Sequence, residues 1–279
     1  MILFCHDNTY LAPESIIFWI EATAMTEIKH GIHSIDGLTH PFPGVGMVSY
    51  IVEEAPHDLT LIDTCFSADL PKLEEYLHSC GYEISDIKRI VITHIHSDHT
   101  QAANEIRRRS GEVEILSHWA EAAYLSHNPP YSGPPSEETV QHFFNQLGIK
   151  PEDVFKKYGS FDVEPIKVDR QLQDGDMVGR SLQVIHTPGH TPGHISLYSK
   201  QQGIIFGGDF MSKSVLGIHG LFVPHSTVSI DSTTAVISAR RISKLKFDTL
   251  LLAHQDAPLL ENASKEVERS LAALDTRKP

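Results

Sequence analysis

The stretch His94-Ile-His-Ser-Asp-His99, directly behind Arg89-Ile-Val-Ile-Thr93, decides how this chain is read. Three imidazoles and one carboxylate fall within six positions, and all are ligand types that suit a metal such as zinc. On a helix His94, His96 and His99 would point to different sides. On a tight loop at the end of a strand they converge, and the β-branched run before the motif reads as that strand. The chain carries 18 His among 279 residues, so pairs of His arise by accident. A polar loop that happens to be rich in His is the plain alternative, and an H-x-H-x-D-H string behind such a run speaks against it.

A catalytic metal takes about three protein ligands and keeps a position open. The motif alone saturates neither one metal nor two, so further ligands are expected downstream. Thr187-Pro-Gly-His-Thr-Pro-Gly-His194 follows the strand-like Ser181–His186, and its Pro and Gly residues mark a rigid turn. Gly207-Gly-Asp209 follows Gly203–Phe206, and His254 follows Thr249–Ala253. Each candidate sits where a strand runs out into a loop, the usual place for a site on a rigid scaffold. His186, ahead of its loop, reads as structural.

These motifs resemble the metallo-β-lactamase superfamily, in the right order over about residues 26 to 255. The matching residues are His94, His96, Asp98 and His99, then His190, Asp209 and His254, with Asp63 in Leu61-Ile-Asp-Thr64. The resemblance implies an α/β fold, the αββα sandwich, in which two mixed sheets are flanked by helices. It also implies two divalent metal ions. One would be held by His94, His96 and His190, the other by Asp98, His99 and His254, with Asp209 bridging both. Zinc is the first choice for nitrogen and oxygen ligands without thiolate, while iron, manganese and cobalt accept the same set. Asp63 would orient a ligand, and His194 would fix a ligand or its loop. Where some true β-lactamases of this superfamily place Cys, this chain has Asp209, as hydrolytic thioesterases and lactonases do.

Composition narrows the substrate. The net charge of −13 counts against a nucleic-acid partner, which needs a basic track. Arg107–Arg109 and Arg240–Arg241 read as solvated helix faces. No apolar run of about 18 residues or more exists, so no membrane helix is expected. Ile16–Ile20 is too short for a signal segment, and Cys5, Cys65 and Cys80 form no C-x-x-C pair, so the expected address is cytoplasmic. Cys65 reads as a small buried residue.

Strand and helix patterns alternate from Met47 onward. Strands are expected over Met47–Glu53, Leu59–Asp63, Arg89–Thr93, Val113–Leu116, Ile166–Val168, Ser181–Ile185, Ile195–Ser199, Ile204–Phe206 and Thr249–Leu252. Helices are expected over Asp69–Ser79, Thr100–Arg109, Asp231–Ser243 and Glu261–Leu274, the last with Val267, Leu271 and Leu274 on one face. The domain reading is an N-terminal extension over residues 1–24 and one domain over 25–279, a length within the range of single α/β units. Phe18 and Trp19 suit packing in that extension, against a second subunit if the protein is a homodimer. Residues 118–160, with Asn128-Pro-Pro-Tyr-Ser-Gly-Pro-Pro135 at their middle, read as a lid over the site. Tyr131, Phe143 and Phe144 are its candidate contacts to a small-molecule substrate.

The resemblance implies hydrolysis of an ester-like bond by a hydroxide bridging two metals, with Asp98 both ligating and orienting it. No G-x-S-x-G elbow offers a serine route. A lactonase is the preferred reading, acting on an acyl-homoserine lactone (a quorum-quenching activity) or a related lactone. Several such lactonases place a Tyr three residues after the bridging Asp. Here that position is Ser212, so either another group such as Tyr131 or His225 replaces the missing hydroxyl, or the substrate is different. The alternatives are a glyoxalase II-like thioesterase, a promiscuous β-lactamase and a mononuclear iron persulfide dioxygenase.

Overall fold

Along Met47–Ala55 successive side chains face two different cores, as the period of a strand dictates. Met47 and Ile51 join a cluster beneath helices, whereas Val48, Tyr50 and Val52 join a cluster between two sheets. The same alternation recurs in Ile204–Gly208, where Ile204 and Phe206 face inward and Ile205 faces outward. Strands that are apolar on both faces need cover on both, and the layers follow from that. The computed structural model describes residues 26–39, 45–127, 163–214, 219–224 and 228–275.

The first sheet runs in sequence order: β1 (Thr26–Lys29), β2 (Ile32–Leu38), β3 (Met47–Ala55), β4 (Asp58–Ile62), β5 (Ile87–Ile92), β6 (Glu114–His118) and β7 (Arg170–Leu172). It is antiparallel up to β4 and parallel from β4 onward. The second sheet holds β8 (Met177–Val178), β9 (Leu182–His186), β10 (Ile195–Ser199), β11 (Ile204–Gly208) and, beyond a small hairpin of β12 (Ser212–Lys213) and β13 (Leu221–Phe222), β14 (Thr249–Leu252). Its order is β14-β11-β10-β9-β8, with β11 and β14 parallel. Both sheets are mixed.

Helices α1 (Leu70–Ser79), α2 (Ser97–Thr100), α3 (Ala103–Ser110) and α4 (Trp119–Leu125) belong to the first half. Leu70, Leu73, Leu77, Ala103, Ile106 and Leu125 pack with Leu59, Leu61, Ile87, Ile90 and Ile115 on the outer face of the first sheet. Helices α5 (Ser232–Ser243) and α6 (Ala263–Asp275) cover the second sheet through Ala239, Ile242, Val267 and Leu271. The layers are helix, sheet, sheet, helix, as the αββα resemblance implies.

Four expectations change. The helix expected over Thr100–Arg109 is two pieces, and the first, α2, starts at Ser97. Asp98 and His99 therefore lie in a helical turn, and only Thr93–His96 is the loop. His96 takes an extended conformation (φ −60°, ψ 149°) at the start of that turn and so changes the chain's direction. The strand expected at Ile166–Val168 forms at Arg170–Leu172 instead. Ile166 is buried, and its N–H donates to Leu125 O, which ties this stretch to the end of α4 rather than to a sheet. Of the lid expected over 118–160, His118 instead ends β6 and Trp119–Leu125 form α4, which packs into the core through Leu125. The lid's remainder, residues 128–160, lies outside the described residues, as does the extension at 1–24. Among the described residues no helix is long and apolar enough to cross a membrane.

Leu251, fully buried between the sheets, tests the sandwich. Leu251→Ala is expected to lower the unfolding free energy by about 2–5 kcal/mol, read as a drop in the urea midpoint. An unchanged midpoint would show that β14 does not pack across the sandwich there.

Candidate metal centre

The carboxyl ends of β4, β5, β11 and β14 meet at one end of the sandwich. Hydrogen bonds stitch them there: Ile195 N to Thr93 O, Val48 N to Ala253 O and Ala253 N to Gly208 O. Strands that end together deliver the residues behind them to one place. Asp63, His94, Asp209 and His254 stand directly behind these four ends.

Seven side chains converge in two groups: His94, His96, His190 and Asp209 in one, Asp98, His99 and His254 in the other. In the first, His94 Nε2 and His190 Nε2 each lie 3.0 Å from His96 Nδ1. In the second, His254 Nε2 lies 3.4 Å and His99 Nε2 3.7 Å from Asp98 Oδ2. Asp209 reaches both groups. Its Oδ2 is 3.3 Å from His190 Nε2 and 3.2 Å from His254 Nε2, and its Oδ1 is 3.6 Å from His99 Nε2. Residues 43–254, most of the chain and all seven of these positions, match the profile of the metallo-beta-lactamase superfamily. The chain belongs to that superfamily.

Its relatives vary in reach. An acyl-coenzyme A thioesterase of Gallus gallus is 30% identical over 159 residues, which is 56% of this chain and 50% of that protein. A probable metallo-hydrolase of Bacillus subtilis (strain 168) is 27% identical over 244 residues, 84% of this chain and 88% of that one. A hydroxyacylglutathione hydrolase of Haemophilus influenzae is 28% identical over 136 residues, 47% of this chain and 53% of that one. The matches thus span about half the length of the first and third of these relatives. Among solved structures, a metallo-beta-lactamase family protein of Thermus thermophilus superposes with a TM-score of 0.66 at 22% identity, over 90% of this chain and 81% of that one. That likeness shows the fold.

Hydrogen bonds around the centre decide which imidazole nitrogens face it. Thr93 Oγ1 donates to Asp63 Oδ2 at 2.8 Å, so toward His94 Nδ1, 3.1 Å away, it accepts. Ser229 Oγ donates to Pro224 O and therefore accepts from His190 Nδ1 at 3.2 Å. His99 Nδ1 donates to Asp63 Oδ2 at 2.9 Å, and His254 Nδ1 donates to Gly46 O at 2.9 Å. With every Nδ1 proton committed outward, the Nε2 atoms of His94, His99, His190 and His254 all turn inward. That is the tautomer a metal needs, fixed by outer partners as metal sites commonly require.

The electrostatics divide the two groups. Burial, reinforced by neighbouring imidazoles, pushes His94 well below its usual range and His96 down to about 3, so both are neutral donors. Burial also opposes a charge on His99, but Asp98, Asp63 and Asp209 outweigh it and lift that ring to about 10. Burial is likewise overcome at His254, which Asp209 and Asp98 raise. Asp209 stays ionised against its burial because His254 and His99 face it. His99 Nε2 and Asp209 Oδ1 are buried and make no hydrogen bond, although buried polar atoms ordinarily find partners. A divalent cation satisfies both, and the donor set fits one.

The remaining candidates fall in different places. Asp63, in a left-handed conformation (φ 57°), accepts from Thr93 N at 2.7 Å as well as from Thr93 Oγ1 and His99. His194 does not line up with the ligand atoms. Its Nε2 accepts the Asp209 backbone N–H at 2.9 Å and its Nδ1 meets Thr187 Oγ1 at 2.8 Å. A side chain at Gly208 (φ 55°) would strike that ring, with a Cβ 2.8 Å from His194 Nε2. His186 turns away, with its Nε2 donating to Pro192 O and its ring stacked on His118. Ser212 is buried in the β12–β13 hairpin opposite Phe222. Cys65 is buried and free. Tyr131, Phe143, Phe144 and His225 lie outside the described residues. Sequence reasoning missed Thr93, Gly46 and Ser229, whose residue types are common and whose contacts no motif marks.

The site generates a sign for pH. His99 holds a second ring proton in the metal-free protein at neutral pH and must release it to act as a ligand, and the raised His254 acts in the same sense, so affinity is expected to rise with pH. Zinc titrated into metal-free protein in weak buffer should release protons, seen with an indicator dye; uptake without release would contradict the assignment. Asp209→Ala should weaken loading of both groups, whereas His96→Ala should weaken one. Elemental analysis after dialysis distinguishes them, and a fully loaded Asp209→Ala protein would remove the bridge.

Proposed function

We propose that this protein is a dinuclear metal-dependent hydrolase of an ester-like bond, with a lactone as its preferred substrate. The observation that carries the reading is the Asp209 carboxylate shared between the two donor groups. Metal ions bound there would lower the pKa of water toward neutrality and polarise a carbonyl. Zinc is the first candidate, and iron, manganese and cobalt accept the same donors.

The chain's own residues do the rest. His94, His96 and His190 present lone pairs, and Asp63 and His194 hold His99 and Asp209 in place through their hydrogen bonds to the His99 ring and the Asp209 backbone. Asp98, with its Oδ2 beside His254 Nε2, is assigned to orient the attacking water and take its proton.

An uncharged acyl substrate suits the surroundings. Lys213 stands next to the site, with its backbone N–H on His254 O, but its ammonium is engaged by Asp256. Among the described residues this cation is thus already paired, which suits a lactone better than a phosphate-bearing thioester. The thioester reading is the second one, favoured by relatives that are an acyl-coenzyme A thioesterase and a hydroxyacylglutathione hydrolase. A cytoplasmic address accompanies either reading, in keeping with the free thiols of Cys65 and Cys80.

The test is turnover of a long-chain acyl-homoserine lactone, a simple γ-lactone, an acyl-coenzyme A, S-lactoylglutathione, nitrocefin and an aryl ester, with metal content measured beside it. Highest kcat/KM on a lactone with two metals bound is the expected result. Preference for either thioester moves the assignment to a thioesterase. One iron per chain and a silent panel overturns the hydrolase reading in favour of sulfur oxidation.

A further inference from the structure

Helix α4 holds an acid that the metal centre does not use as a ligand. Glu121 is fully buried. Its Oε1 accepts the Gly193 backbone N–H at 2.7 Å, while its Oε2 is buried and makes no hydrogen bond. Burial pushes this carboxyl up to about 7. Gly193 lies between His190 and His194. The side chain thus holds the loop that carries the third ligand of the three-histidine group.

The loop has no slack on either side. A Cβ on Gly193 would come within 2.8 Å of Glu121 Cγ and of its backbone N. At the other end a Cβ on Gly189 would sit 2.2 Å from Ala235 N of α5, and Ser238 Oγ donates to Pro188 O at 2.7 Å. The Thr187–His194 loop is wedged between α5 and Glu121. A buried acid is a costly way merely to fill space, since an apolar side chain fills it without desolvating a carboxyl.

We propose that Glu121 is a positioning residue that fixes the loop carrying His190, and so sets the metal affinity of the three-histidine group. The proposal rests on the reading of the seven side chains as metal ligands. Its reach stops at the three-histidine group, because His99 and His254 of the other group are oriented by Asp63 and Gly46 instead.

The experiment uses the full chain stripped of metal, titrated with cobalt and with zinc against a chelator, for wild type, Glu121→Ala and Glu121→Gln. Thermal unfolding of each metal-free form is measured alongside. Glu121→Ala is expected to weaken one of two metal equivalents by about 10–100-fold and alter one component of the cobalt spectrum, leaving the other equivalent in place. Glu121→Gln, which keeps an oxygen for the Gly193 N–H, should restore affinity to near wild type. Both equivalents binding Glu121→Ala at wild-type affinity overturns the proposal. So does equal weakening of both equivalents in step with a lowered melting temperature in both variants, the pattern of a purely structural acid. If Glu121→Ala does not fold, Glu121→Asp, too short to reach Gly193, stands in its place with the same outcomes. Wild type that takes up no metal removes the metal reading itself, a failure visible before any variant is compared.

Discussion

Asp209 is a carboxylate buried among imidazoles, and it stays ionised only because positive charge is held against it. In a medium that screens poorly, that charge must be supplied within hydrogen-bonding or ligating distance. In the metal-free chain the protonated His99 supplies it, with His254 also facing the carboxylate. The surrounding architecture serves this one requirement. Asp209 must leave β11 through Gly208, whose backbone approaches His194 too closely for a side chain. Its N–H is held by His194, which Thr187 holds in turn, and Thr187 contacts Ser196, whose hydroxyl donates to Gly207 O. The chain of bonds begins and ends on the same strand exit, so the carboxylate's position is over-determined.

The sandwich brings this convergence within reach of a chain of ordinary composition. Parallel pairing of β4 with β5 and of β11 with β14 places the exits in register, and the apolar cluster between the sheets holds the two pairs together. Ligands then need only follow strand ends. That is why the side chains that converge there were legible in the sequence: the types are distinctive, and they follow apolar runs. The local shape of the motif was less legible. Asp98 and His99 ride on a helical turn because His96 takes an extended conformation at its start, and no residue type announces such a reversal. The two-residue strands β8, β12 and β13 carry too few side chains to show a period.

Beyond Asp63 and His194, the ring of outer partners escaped the sequence. Ser229 reaches His190 across 39 positions, Glu121 reaches Gly193 across 72 and Gly46 reaches His254 across 208. Two of those contacts involve backbone groups, which every residue offers, and the third a serine. Orientation of a ligand depends on where an atom stands rather than on which residue owns it. Only the fold, once formed, assigns these roles.

The two donor groups also differ in kind, and the difference follows from where the carboxylates lie. His94 and His96 are neutral by burial, so the three-histidine group offers lone pairs without first losing a proton from either ring. The second group gathers Asp63, Asp98 and Asp209 around His99, and a proton occupies it until a stronger cation displaces that proton. Its greater negative charge favours a divalent ion more strongly once the proton has gone, while at lower pH the proton competes harder there than at the neutral rings. A lower pH therefore works first against a cation in the carboxylate-rich group.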